Sequence, residues 1–125
     1  MPVTNVEVQP SNSLLLVMDP DHGVIPESIG GRLVAATESC LAVGTLSEAD
    51  GPTRVHVIDA DDFRGVEDGS WVAWEGILAT ASGRLAVMDV LGDVFADRRV
   101  GPSVAVRVIV NDDTEPDGIS VVVGS

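Results

Sequence analysis

Lysine and tyrosine do not occur in this chain, cysteine occurs once, and the aromatics are two Phe and two Trp. Each scarcity excludes something. A single cysteine, Cys40, leaves no disulfide framework within the chain and fits a reducing cytoplasm. Phe63, Trp71, Trp74 and Phe95 are too few rings for stacking on nucleic-acid bases. Seven bases, all arginine, oppose twenty acids, and the resulting net charge of −13 repels DNA, RNA and anionic membranes. No apolar run approaches the roughly 20 residues of a membrane helix. The opening stretch "MPVTNVEVQPSN" has neither the basic region nor the apolar core of a signal peptide. A soluble, cytoplasmic protein that binds neither nucleic acid nor membrane is predicted.

What is present points to β-structure. The chain is 45% hydrophobic with a mean hydropathy of +0.28, which argues against disorder. At 125 residues it can build one core, so residues 1–125 are expected to form a single domain. "SVAVRVIV" alternates Val104, Val106, Val108 and Val110 against Ala105, Arg107 and Ile109, and "TRVHVID" alternates Val55 and Val57 against Arg54, His56 and Ile58. "SLLLVMD", "RLVAAT", "CLAVGTL", "WVAWEGILAT", "GRLAVMDV" and "ISVVV" complete a set of about eight short strands separated by Gly, Pro and Asp clusters. That spacing predicts an all-β sandwich or barrel. "FADRR" reads as a single helical turn, and "RLVAATESCLAV" stands open between one helix and two strands.

A shift of 70 residues aligns Val17–Asp19 with Val87–Asp89, Val24 with Val94, Gly31 with Gly101, and Val34–Ala35 with Val104–Ala105. The match suggests two pseudo-symmetric β halves.

The candidate chemical sites lie in turns. From Asp113, the residues Asp113, Glu115, Asp117 and Gly118 mimic half of a calcium loop. The twelfth position, however, is Gly124 where a bidentate glutamate is needed, and strand-like sequence flanks the segment. A hairpin connection, with Val110 ending one strand and Ile119 opening the next, is the better reading. "DADDFRGVEDG" is a second acidic loop, with Arg64 as an internal counter-charge. "MDPDHG" gathers Asp19, Asp21 and His22, but reads as a turn opened by Asp-Pro and closed by Gly23. His22 and His56 lie in different segments, and His56 alternates within a strand. Cys40 sits in an apolar run that would bury it and raise its pKa. No G-x-S-x-G elbow, phosphate-binding loop or G-x-G-x-x-G occurs. As strand residues, Trp71 and Trp74 would fall on opposite faces, one in the core and one a partly exposed anchor. Neither catalysis nor a cofactor or metal ion is expected.

"VEVQPSNSLLLVMD", a long β-rich middle and "GILATASGRLAVMD" together resemble competence protein J, a family of small acidic proteins that inhibit a DNA-entry nuclease. The resemblance implies a β-sandwich whose carboxylate loops occupy the basic DNA-binding cleft of a nuclease. It carries over no individual site residue.

The physics of such a surface stands without the family. Carboxylates set against a Lys/Arg-lined cleft would speed association by steering and make binding salt-sensitive. The expected partner-binding surface is Asp59, Asp61, Asp62, Glu67 and Asp68 in one loop and Asp112, Asp113, Glu115 and Asp117 in the other. The predicted role is a non-catalytic protein-binding domain, of inhibitor or immunity type, directed at a basic enzyme such as a nuclease. A small-ligand or metal-binding accessory domain is the alternative, and acidity as an adaptation to a salty cytoplasm is a third account. Unpaired edge strands would also offer a route to a homodimer.

Overall fold

The computed structural model describes residues 3–27, 29–47 and 49–124. Its strands are β1 (Val3–Val8), β2 (Leu14–Met18), β3 (Val34–Ala36), β4 (Cys40–Gly44), β5 (Thr53–Asp59), β6 (Trp71–Ala79), β7 (Arg84–Met88), β8 (Val94–Arg99), β9 (Ser103–Val110) and β10 (Gly118–Val123). They form two five-stranded sheets, ordered β1-β5-β10-β9-β6 and β3-β4-β2-β7-β8. The fold is a β-sandwich.

The alternation seen in the sequence sets the core. Val55 and Val57 of β5, Val106, Val108 and Val110 of β9, and Ile119, Val121 and Val123 of β10 face inward from the first sheet. Leu15, Val17, Leu41, Val43, Leu85 and Val87 meet them from the second. Each such Leu or Val taken out of water contributes roughly 1.5–3 kcal/mol before entropy is counted. β2 is apolar on both faces because both are covered. Leu16 and Met18 point away from the main core and pack with Cys40 and Ala42 in a second cluster. The segment after β2 closes over it: Gly23 lies so near Met18 that a Cβ there would come 2.6 Å from Met18 Cε.

Two strands escape the sequence reading. β1 alternates Val6 and Val8 against Asn5 and Glu7, a period too short and too polar to stand out beside the Val-rich strands. β8 takes Val94–Arg99, so "FADRR" is extended and not a helical turn. Its pairing with β7 supplies the backbone partners that an isolated helical turn would lack. "RLVAATESCLAV" resolves into two strands, β3 and β4, paired antiparallel.

The pseudo-symmetry is present in the topology. β1-β5 and β6-β9 pair antiparallel, as do β2-β4 and β7-β8. The halves join where β2 runs antiparallel to β7, with Val17 directly opposite Val87. The repeated Val-Met-Asp triplets therefore meet near a local two-fold axis, and each ends in a buried aspartate that caps the next turn. Asp19 Oδ1 accepts from the N–H of Asp21 and His22 at 2.9 and 3.1 Å, and Asp89 Oδ1 from Leu91 and Asp93 at 3.0 and 3.1 Å. The alignment fails further on, since Val34–Ala35 lie in β3 of one sheet and Val104–Ala105 in β9 of the other. β3 and β10 have no counterparts. β10 is wedged between the halves, parallel to β5 and antiparallel to β9.

Candidate functional site: an acidic cleft on one sheet

The outward face of the first sheet carries Glu7, Arg54, His56, Ile58, Ser120 and Ile109. These positions alternate with the core-facing residues of their strands, so the period of two alone sends them outward. β10 contributes Gly118 and Ser120, its smallest residues, between Arg54 and His56 on one side and Ile109 on the other. The floor is lowered there. A cleft of about 630 Å³ results, walled by the β5–β6 connection, the β4–β5 connection and the end of the β9–β10 loop.

The β9–β10 loop is a hairpin connection, as the sequence implies. The Asn111 side chain accepts from the Gly118 N–H at 3.1 Å and donates to Asp117 Oδ1 at 2.8 Å. Asp112 Oδ2 accepts from the N–H of Thr114 and Glu115 and from the Thr114 hydroxyl. Those bonds, the Glu115 N–H foremost, hold its carboxyl below the usual carboxylate range. Pro116 is buried and its carbonyl accepts from the Leu46 N–H at 3.0 Å, which anchors the loop to the β4–β5 connection.

The β5–β6 connection begins with a 3-10 turn at Ala60–Asp62 and runs back over the sheet. The Arg107 guanidinium lies 5.7 Å from the centre of the Phe63 ring and donates to Glu75 Oε2 at 3.0 Å. Arg64 lines the cleft. The cation paired with the start of this loop is instead Arg98, 3.6 Å from Asp59 Oδ1, because β8 passes beside the ends of β1 and β5.

The nine acidic residues named from sequence thus divide. Asp62, Glu67 and Asp117 line the cleft, joined by Glu7 and Asp50, which sequence reasoning had not singled out. Asp61, Asp68, Asp113 and Glu115 are exposed. Asp59, Asp112 and Asp117 have internal partners. Glu7 could have been found from the alternation of β1, whereas Asp50 becomes visible only when the β4–β5 connection is folded against β10.

The other candidates have structural duties. Asp19 is fully buried, and burial opposes its charge, yet the Ser82 N–H and hydroxyl and the N–H groups of Asp21 and His22 outweigh that and hold its carboxyl far below the usual range. The Asp19 carbonyl accepts from the Gly23 N–H at 2.9 Å, closing the expected turn. His56 Nδ1 meets Asn5 Oδ1 on the outer face. Cys40 is fully buried, and desolvation pushes its thiol up to about 12. A bulge between Val72 and Trp74 corrects the expectation for the tryptophans: the register sets Trp71 opposite Val110 and Trp74 opposite Val108, on one face. Trp74 packs on the core and Trp71 stays 42% exposed at the sheet edge.

The architecture has a match among solved structures. Over 98% of this chain and 95% of the other, it superposes on ComJ from Bacillus subtilis, an inhibitor of the DNA-degrading activity of NucA, with a TM-score of 0.63 and 8% identity. The chain shares the ComJ fold. It also matches the protein of crocagin biosynthetic gene J, with a TM-score of 0.58, 12% identity and the same two coverages. No family profile and no curated protein matches the sequence. At these identities the likeness is one of fold. No helix among the described residues is long and apolar enough to cross a membrane.

Proposed function

We propose that this chain is a non-catalytic protein-binding domain of inhibitor type, directed at a basic enzyme such as a nuclease. The observation that carries the reading is convergence. Two acidic loops more than forty residues apart in sequence flank one cleft, and their carboxylates at Asp61, Asp62, Glu67, Asp68, Asp113 and Glu115 have no assigned structural task. A phosphate-binding cleft lined with Lys and Arg is the complementary surface. Association would be fast and would weaken as salt screens the charges, over a Debye length of about 10 Å at 0.1 M. The likeness to ComJ supports the reading as a shared fold.

The test is capture at low salt followed by measurement on the purified pair. A stoichiometric basic partner is expected, with affinity falling steeply between 50 and 300 mM salt. Replacing the six carboxylates by Asn or Gln should flatten that dependence; unchanged affinity and salt slope would discard the reading. Self-association, if the chain uses an edge strand for it, falls to β6. That strand is the longest edge and exposes Val72 and, at 70%, Ile77. Sedimentation of Ile77→Glu against the parent decides it, with a shift to monomer expected.

A further inference from the structure

The cleft has more specific chemistry than an acidic patch. Its volume of about 630 Å³ lies in the range of sites that enclose a small ligand or a side chain, roughly 300–1,000 Å³. Its apolar lining includes Ile58, Phe63 and Ile109, while Glu7, Asp50, Asp62, Glu67 and Asp117 stand around it against two arginines, Arg54 and Arg64. Arg54 is itself 3.7 Å from Glu7. The balance disfavours an anion. The apolar lining also suits an occupant with an aliphatic stem better than it suits a bare metal ion, which needs oxygen donors on all sides.

We infer that the cleft is a socket for one arginine side chain carried on an extended segment of the partner, an inference that rests on the inhibitor reading above. Its stem would cover Ile58 and Ile109 and its head would meet the carboxylates of Asp62, Glu67 and Asp117. A guanidinium is preferred to an ammonium for a reason visible in the molecule. At the edge of the same cleft, Phe63 already carries one guanidinium, that of Arg107, which a carboxylate, Glu75, holds in place. A planar, weakly hydrated cation suits an aromatic–carboxylate setting, whereas lysine acts as a strongly hydrated point charge.

The experiment separates a socket from diffuse attraction by filling the floor without changing charge. The probes are fluorescein-labelled Gly-Arg-Gly-Arg-Gly and its lysine counterpart, followed by anisotropy at 50 mM salt. The parent should bind the arginine peptide several-fold tighter than the lysine peptide. Ser120→Trp, at unchanged net charge, should weaken it at least tenfold, and Ser120→Leu gives a smaller plug should the tryptophan variant fail to fold. Asp113→Asn/Glu115→Gln, at the loop tip outside the cleft, should weaken both peptides equally and modestly. Parent-like binding by folded Ser120 variants would overturn the socket while leaving the acidic surface intact. Equal affinity for the two peptides would overturn the guanidinium assignment. Agmatine competing at the peptide's own affinity would replace the partner segment by a small guanidinium compound. Loss of the salt-dependent partner described above, with peptide binding retained, would remove the inhibitor reading and not the socket.

Discussion

The Ser82 hydroxyl donates to Asp19 Oδ1 at 2.7 Å across 63 residues of sequence, and the Ser82 N–H donates to Oδ2 at 2.8 Å. These bonds tie the end of β2 to the turn before β7, beside the axis that relates the two halves. Asp19→Ala would take the shared acceptor from four part-buried donors and should cost about 3 kcal/mol, at the upper end for bonds to a charged group. Ser82→Ala should cost about half of that, since the backbone donor remains. Urea unfolding measures both.

The same carboxylate gives the pH dependence a sign. Its folded pKa is depressed, so its stabilisation is fully present above the unfolded value of about 3.9 and is lost as pH falls below it. The stability gap between the parent and Asp19→Asn should therefore be constant from pH 5 to 7 and narrow from about pH 4 downward. A gap that widens on acidification would contradict this account.

Arg98 holds the two sheets together at one edge. From β8 it donates to Thr4 Oγ1 and the Val57 carbonyl at 3.0 and 3.1 Å, and pairs with Asp59. Its side chain is only 20% exposed, so these bonds are worth more than a surface ion pair. Arg98→Lys, which loses the fork, should cost about 1–2 kcal/mol, and Arg98→Ala somewhat more. Asp59→Asn should cost well under 1 kcal/mol, because the Asp59 side chain is 44% exposed.

Cys40 should resist alkylation by iodoacetamide at pH 8 in the folded protein and react on unfolding in urea. Its thiol, raised to about 12, holds almost no thiolate at that pH, and it is packed against Met18, over which the segment after β2 closes. Rapid labelling of folded protein would show that the segment opens.

Gly76→Ala should be destabilising by about 1–3 kcal/mol, because the added carbon would sit 2.8 Å from the Trp74 ring and the ring has core on its other side. A shift in tryptophan emission should accompany the loss. Val72→Ala, on the exposed side of the same strand, should change stability by less than about 0.5 kcal/mol and serves as the comparison.

Sequence and structure agree where a local rule decides. Alternation in "SVAVRVIV" and "TRVHVID" assigned the inward and outward faces of β9 and β5, and the Asn-Asp-Pro-Gly chemistry of 111–118 placed the hairpin. The rest depended on partners that composition does not announce. β8 is extended because β7 pairs with it, despite Asp97, Arg98 and Arg99. The bulge in β6 inverts the alternation that placed Trp71 opposite in sense to Trp74. The turn after Asp19 was legible from Asp-Pro and Gly23, but its partner Ser82 comes from the second half, 63 residues away. The cleft was the least legible part, since it exists through the small residues Gly118 and Ser120, which in sequence look only like the beginning of a strand.

The wedge position of β10 has a consequence for the order of assembly. Every strand of the second sheet has been made by Arg99, but the centre of the first sheet stays vacant until Val123 is available. A ribosome-bound chain can thus complete one layer while β5 and β9 still present unpaired edges toward each other. β5 must then wait for a parallel partner more than fifty residues downstream, a long-range closure of the kind that slows folding. The exposed edges in that interval are where chaperone binding or aggregation would begin, and late closure by β10 makes the tenth strand in chain order the one that commits the whole sandwich.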